Sequence, residues 1–443
     1  MAGAAITAAP KLFSPAADPW QKMRDIERRI KAPVFADRSF NIRKYGAVGD
    51  GITDCTAAIR KAIEACARAG GGRVIVPEGS YLTGPIHLLS QVNLVTSKGS
   101  IIKFSRDVAK YLPAVHTRWE GVELMGLSAL IYAYGKENIA VTGEGILDGQ
   151  ADCDHWWPWK GKKDCGWKAG DASQDKARKA LFDAADRGVG VSQRIYAEES
   201  YLRPQFIQPY QCRNILIEGV TIINSPMWEL HPVLSSNVTI KGVRIKSHGP
   251  NNDGCDPESC TDVLIDACEF DTGDDCIAIK SGRNTDGRRL HRATENVIIR
   301  NCKMIDGHGG VTIGSEISGD VRNVFIENCK MDSPHLERGL RIKSNCVRGG
   351  VVENVYMRNV EIGQVSDAVV SVDFQYEEGD AGDFPPVVRN IQLENVRSNK
   401  SKYGLFLRGS KKAKIQSISL SKCKFENAAK PDVIENAEKP VIA

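Results

Sequence analysis

No stretch of this chain approaches the ~18 consecutive apolar residues that a membrane-spanning helix needs, so nothing in it reads as a span. Charge of one sign is also scarce: 59 Lys and Arg against 55 Asp and Glu leave a net +4. That excludes the strongly basic tail of a nucleic-acid binder, while a mild positive balance suits an anionic ligand. The 13 cysteines show no zinc-like spacing, and their odd number leaves at least one thiol unpaired or shared with another chain. Cys268, Cys302, Cys329 and Cys423 recur at similar places in strand-like segments, where cysteine behaves as a small buried hydrophobe. Redox compartment does not follow from them. MAGAAITAAPKLFSP at the start has A-x-A texture but lacks the basic n-region and full h-region of an export signal. Residues 1–36 are therefore expected to hold a tail, read as a signal remnant or a plain terminus, and a short helix. The signal reading places the protein in the periplasm or outside the cell.

Length permits two or three domains, although a single β domain can run this long. In DPWQKMRDIERRI, Asp18 stands as an N-cap and Pro19 at the first helical position. In TDCTAAIRKAIEACARAGGG, Thr53 or Asp54 caps a helix over 54–69; Ile59, Ala62, Ile63 and Cys66 share one face, and a glycine run ends it. Beyond it the period changes to strands. From residue 212 one pattern recurs: a polar residue, V/I-x-I, a break, and a second apolar pair. It reads RNILIEGVTI, SNVTIKGVRI, TDVLIDACEF, ENVIIRNCKM, RNVFIENCKM, ENVYMRNVEI and RNIQLENVRS, with an earlier copy, ENIAVTGEGI, near 138. The spacing varies from the low twenties to the middle thirties, which a helical repeat would not do. Short strands with variable turns fit an all-β fold: a right-handed single-stranded parallel β-helix over 37–443, whose coils stack and whose loops bulge outward. The 54–69 helix would cap its exposed first coil. A β-sandwich is the rival, but sandwiches rarely reuse one motif so often. The stretch 151–204 interrupts the repeats and is rich in Trp, Lys and Gly. It reads as a long functional excursion over one face, or as an Ω-loop with a private tryptophan core.

Three coils align on a shared serine as DGCDPES, DCIAIKS and GGVTIGS, ending at Ser259, Ser281 and Ser315. Asp253 and Asp275 then occupy equal positions, as do Asp274 and His308. The next coil, LRIKS, sets Arg341 and Lys343 over Thr312 and Gly314. Equal positions stack ~4.8 Å apart, and like charges one rung apart are costly unless function requires them. The turn formers around Asn251, Asn252 and Asp253 are expected to bend the Asp253 carboxylate into the same cleft as Asp275. Three carboxylates, a histidine and two cations on one face suit hydrolysis of an acidic sugar polymer with inversion. On this reading Asp253 and Asp275 hold the water, and Asp274, raised by two negative neighbours, stays protonated as the acid. His308 tunes or reprotonates Asp274, and Arg341 and Lys343 bind a substrate carboxylate. Calcium competes for the aspartates, but three cationic groups so close would repel it. No metal or cofactor is expected.

NNDGCD, GDDCIAIKSG, GHGG and RIK, in that order, resemble the signature of the glycoside hydrolase family 28 polygalacturonases, from about residue 37 to the end. One departure is Asn252, where threonine is common. The resemblance implies hydrolysis of α-1,4 galacturonosyl bonds in polygalacturonate or its oligomers. It implies Asp274 as acid, Asp253 and Asp275 on the water, His308 assisting, and Arg341 and Lys343 gripping the sugar on the leaving-group side. Tyr376, in DFQYEEGD, is implied as a further substrate contact, and Asn251 is a candidate beside it. YGAVGDGITD, HWWPWKGKKDCGW and SPMWELHPV are similar to the bacterial exo-acting branch, in which extra loops close one end of the cleft; 151–204 is the candidate wall. A rhamnogalacturonan or xylogalacturonan hydrolase would share fold and acids. A pectate lyase would need calcium and a basic proton abstractor, and a non-catalytic carbohydrate-binding solenoid would not need the acids.

Overall fold

The computed structural model describes residues 18–442; the segment with export-signal texture lies outside the described residues. The chain winds as a parallel β-helix. Strands of successive coils pair in parallel, from Ser39–Asn41 with Gly72–Val76 at one end to Ile418–Ser421 with Val441–Ile442 at the other. Register is kept along the stack, so Val238, Val263, Val297, Val324, Val355 and Ile391 form one inward column. All six are buried, and β-branched side chains pack well on such a pleated surface. The polar residue before each V/I-x-I now has a physical role. Asn214, Asn237, Asn296, Asn323, Asn354 and Asn390 all turn the chain in the left-handed region, with φ between 54° and 61°, a conformation asparagine tolerates. Their amides bond from coil to coil, as in Asn214 Nδ2 to Asn138 Oδ1 (2.8 Å) and Asn354 Nδ2 to Asn323 Oδ1 (3.2 Å). Cys268, Cys302 and Cys329 stack in the buried interior; Cys423 is half-buried.

Two helices stiffen the solenoid. Helix α1 (Pro19–Arg29) begins where the Trp20 N–H donates to Asp18 Oδ1 (3.0 Å). Its Trp20, Met23 and Ile26 bury against the outer face of the coils, on Ile298 and Phe325. Helix α2 (Thr56–Arg68) starts two residues later than expected. Cys55 is its N-cap residue, and Asp54 Oδ1 accepts the Thr56 N–H (2.9 Å). Its buried face is Ala58, Ile59, Ala62, Ile63 and Cys66, which joins the core at the first coil.

One face positions the site. Its strands are β1 (Ile277–Ile279), β2 (Val311–Ile313), β3 (Arg338–Lys343), β4 (Ala368–Asp373), β5 (Tyr403–Arg408) and β6 (Val433–Glu435), paired in that order. Before β1 the face narrows to single bridges, Ile207 to Leu230, Leu230 to Cys255 and Cys255 to Ile277. The excursion is more ordered than a loop. It contains a helix, Asp175–Asp186, whose Leu181 and Ala185 pack on Trp119, Leu124 and Trp228. A disulfide, Cys153–Cys165, ties its first half, and the other eleven cysteines are free thiols.

Candidate active site

The turn at 249–253 is built before it is used. Asn252 is fully buried and spends its amide on the turn: Oδ1 accepts Ser247 Oγ–H (2.6 Å) and the Gly249 N–H (2.8 Å), and Nδ2 donates to Ser225 O (3.1 Å). Arg203, at the end of the excursion and also fully buried, donates to Pro250 O (2.6 Å) and Asn251 Oδ1 (2.8 Å). A side chain at Gly249 would strike the Trp157 ring. The excursion and the turn therefore fit only each other, and Asp253 is aimed by that fit.

The register places the acids as the spacing predicts. The bridge Cys255 to Ile277 and the pairing Ile277 to Val311 set Asp253 beside Asp275 and Asp274 beside His308. Oxygens of Asp253, Asp274 and Asp275 all lie within 4.8 Å of one another. Asp274 Oδ1 accepts from His308 Nδ1 (2.9 Å) and from the Asp275 N–H (2.9 Å). Asp275 is wholly buried and fully engaged: Oδ1 accepts Thr312 Oγ1–H (2.8 Å) and Arg341 Nη1–H (3.2 Å), and Oδ2 accepts Lys343 Nζ–H (2.8 Å). Glycine is required at 309, because a Cβ there would collide with Thr312 Oγ1 and sit 3.0 Å from Asp275 Oδ1.

The electrostatics differ from the expected assignment of protons. Burial raises all three carboxyls, and their partners then separate them. Asp253 goes up to about 8, through burial and the neighbouring Asp274, with Lys280 only partly opposing. Against burial, the Lys343 and Arg341 charges hold Asp275 far below the usual carboxylate range. Against burial, the hydrogen bond from His308 holds Asp274 below its ordinary value, so two negative neighbours do not keep it protonated in the free protein. His308 goes up to about 9, chiefly through its bond to Asp274. The resting site thus carries one proton on Asp253 and one in the His308–Asp274 pair.

Arg341 and Lys343 line the cleft, but their first partner is Asp275 rather than solvent. Tyr376 lies over them, its ring centre 5.3 Å from Lys343 Nζ and 5.9 Å from Arg341 Cζ. Asn251 also lines the cleft. Several groups escaped the sequence reading. Lys280, buried, lies 3.5 Å from both Asp253 and Asp256 and 3.3 Å from Glu316, and 4.4 Å from the centre of the Trp228 ring. Behind Asp253, burial and the neighbouring Asp253 carboxyl push Asp256 and Glu229 well above the carboxylate range. Lys280 falls inside GDDCIAIKSG, in register with Glu258, and that register was the available signal.

The cleft encloses about 560 Å³. Its far wall comes from the excursion: Trp157, Lys160, Lys162 and the Cys153–Cys165 disulfide line it. Trp156, by contrast, packs with Tyr111 and Trp159 and joins the main core of the solenoid, so the tryptophan cluster is not a private core of the excursion. Trp157 Nε1–H donates to Ser225 O (2.9 Å), which puts the wall at the end of the cleft opposite Arg341 and Lys343. The Cys-tied wall at one end, the acids at the middle and the cations at the other give the cleft a direction.

Beside this solenoid face and its acids stands a family match: the chain matches Glycosyl hydrolases family 28 over residues 193–442 and belongs to that family. Residues 39–110 match a second family, Rhamnogalacturonase A/epimerase, pectate lyase-like. Among solved structures, the chain is similar to a hyperthermoactive exopolygalacturonase from Thermotoga maritima, 45% identical over 96% of each chain, with a TM-score of 0.93. It is 27% identical to an exo-poly-alpha-D-galacturonosidase of Dickeya chrysanthemi, over 76% of this chain and 57% of that one. A relative from Vitis vinifera is 29% identical over 73% of this chain and 60% of its own length. The chain thus spans about 60% of the length of these two curated relatives. A polygalacturonase of Erwinia carotovora, 24% identical with a TM-score of 0.68, shares the fold.

Proposed function

We propose that the protein hydrolyses α-1,4 galacturonosyl bonds of polygalacturonate or its oligomers, acting from a chain end. The observation that carries this is the walled cleft in which three carboxyls, none more than 4.8 Å from the next, lie between two sets of cations. Lys160 and Lys162 face the closed end, Arg341 and Lys343 the open one. An arriving uronate adds negative charge beside Asp274 and strips its water. Both effects raise a carboxyl, which moves the shared proton from His308 Nδ1 to Asp274. Asp274 then gives that proton to the leaving oxygen, and the pair is recharged from solvent through His308, whose side chain is 45% exposed. Water attacks the anomeric carbon and gives its proton to the Asp253–Asp275 pair, which carries one negative charge.

The carboxyls stand closer than the ~6.5–9.5 Å usual between the acid and base of inverting enzymes. A covalent route is nevertheless disfavoured. Asp275 is wholly buried with both oxygens in ion pairs, so it cannot reach an anomeric carbon and acts through water. That supports inversion. The same engagement opposes a calcium ion, since Lys280, Arg341 and Lys343 already occupy the carboxylates. Polygalacturonate itself is too large to enter a cell, in keeping with an exported protein.

The test is incubation with polygalacturonate, with and without EDTA, following product size with time. Release of small saturated galacturonides from the first minutes, indifferent to EDTA, is expected. Mid-length fragments at early times would refute chain-end action. Calcium dependence with unsaturated products would refute hydrolysis.

A further inference from the structure

Beyond Arg341 and Lys343 the catalytic face continues into a second hollow of about 180 Å³, which shares Arg341, Lys343 and Tyr376 with the main cleft. The register explains the hollow. Arg341, Ser371 and Phe406 are equivalent on β3, β4 and β5, and Lys343, Asp373 and Arg408 form the neighbouring column. The small, buried Ser371 stands between an arginine and a phenylalanine and leaves the space. Tyr403 and Phe406 floor the far side, with ring centres 5.5 Å apart. Five cationic side chains line it against two carboxylates, Asp367 and Asp373.

Arg408 is presented for use. Its Nε–H and Nη2–H donate to Asp373 (3.0 and 2.7 Å). These are one edge of the guanidinium fork, and a guanidinium has five N–H groups in fixed geometry. The Nη1 edge has no hydrogen-bond partner among the described residues, and the side chain is 37% exposed. Asp373 therefore orients the group and leaves its outer edge for another carboxylate. Lys402, 44% exposed and 3.5 Å from Asp367, stands beside it.

Resting on the reading that Lys343 faces the first sugar on the leaving-group side, we propose that this hollow binds a further uronate of the same chain. Arg408 lies two rungs beyond Lys343, ~10 Å along the axis. One pyranose of a 1,4-linked chain advances by about one rung, so Arg408 meets the carboxylate of the third sugar past the cut bond. The ring of that sugar lies on Phe406 and Tyr403. Ser371 leaves room for the sugar between.

The test compares kcat/KM over a ladder of galacturonide oligomers, counting sugars beyond the cut bond from the products. In the native protein kcat/KM should keep rising until three such sugars are present. Arg408→Met should remove roughly tenfold on oligomers that reach the third position, the scale of one charge-assisted contact, and little on oligomers that stop at the first. Because Arg408 also pairs with Asp373, Lys402→Glu is the second probe; it alters the charge of the hollow from an exposed position and should act on long oligomers in the same direction. A rise complete before the third sugar, or equal losses on short and long oligomers, overturns the proposal. Native protein that cleaves no galacturonide of any length would instead refute the hydrolase reading on which it rests.

Discussion

Replacing Lys343 with methionine separates two jobs that one ammonium performs. Its Nζ lies 2.8 Å from Asp275 Oδ2, with Asp275 wholly buried and Lys343 itself 9% exposed. Breaking a buried pair by removing one partner costs ~3–5 kcal/mol, because the remaining charge is left uncompensated. Arg341 still holds the other oxygen at 3.2 Å, so we expect the low end, about 3 kcal/mol. The pH dependence carries a definite sign. Lys343 and Arg341 hold Asp275 below its unfolded value, so its contribution is present above ~4 and is lost as pH falls through the folded value. In Lys343→Met the folded value moves up toward the ordinary range. The deficit in stability should therefore be full near neutral pH and shrink as pH falls below ~4. Thermal unfolding across pH 3–8 reads this. The kinetic companion compares a galacturonide with its methyl ester at the leaving-group sugar. If Lys343 serves Asp275 first, both substrates lose, the charged one more by the worth of one contact, ~1.5–3 kcal/mol. A variant as stable as the native protein at neutral pH, and impaired on the charged substrate alone, would refute the pairing with Asp275.

Asp274→Asn is expected to abolish turnover while leaving oligomer binding nearly unchanged, as measured by calorimetry, because the acid acts in the transition state; near-native turnover would remove it from its role. Activity should decline as pH rises through the region of about 8 to 9, where Asp253 and then His308 lose their protons, and His308→Gln should lower kcat and move that decline to lower pH. The first-formed anomer, read by proton NMR within the first turnovers, should be inverted; a retained product would mean that a carboxylate reaches the sugar after all. Gly309→Ala should lower kcat and stability together, since the added methyl presses on Thr312 and Asp275, and full activity would contradict the close approach.

The parts of this molecule legible from sequence were those fixed by repetition. The V/I-x-I copies gave the coils, and counting back from Ser259, Ser281 and Ser315 placed Asp253 on Asp275 and Asp274 on His308 because stacked strands keep register. Proton positions were not legible. Three acids in a row suggested repulsion, but for Asp274 a hydrogen bond from His308 and for Asp275 ion pairs from Lys343 and Arg341 outweigh it, and none of these bonds has a spacing. Nor could the chain order show that Arg203 would reach Asn251, or that Lys280 would sit among Asp253, Asp256 and Glu316. Helix α2 began late because Asp54 turns toward the Thr56 N–H and leaves Cys55 as the cap.

Helix α1 has a mechanical consequence. A stack whose coils touch only their neighbours behaves as a spring, free to stretch and bend between any two turns. Along its length α1 and the residue pair beyond it are fastened to five successive coils. Lys31 bonds Asn237, Arg29 pairs with Asp262, Glu27 with Arg300, Lys22 with Asn323, and Trp20 lies against Tyr356. Eleven residues of helix rise ~16 Å and four rungs rise ~19 Å, so the rod matches the stretch it spans. Those coils are the ones that carry Asp253, Asp274, Asp275, His308, Arg341 and Lys343 on the opposite side. A splint across the outside of these coils therefore holds the spacing of the groups they carry in the cleft.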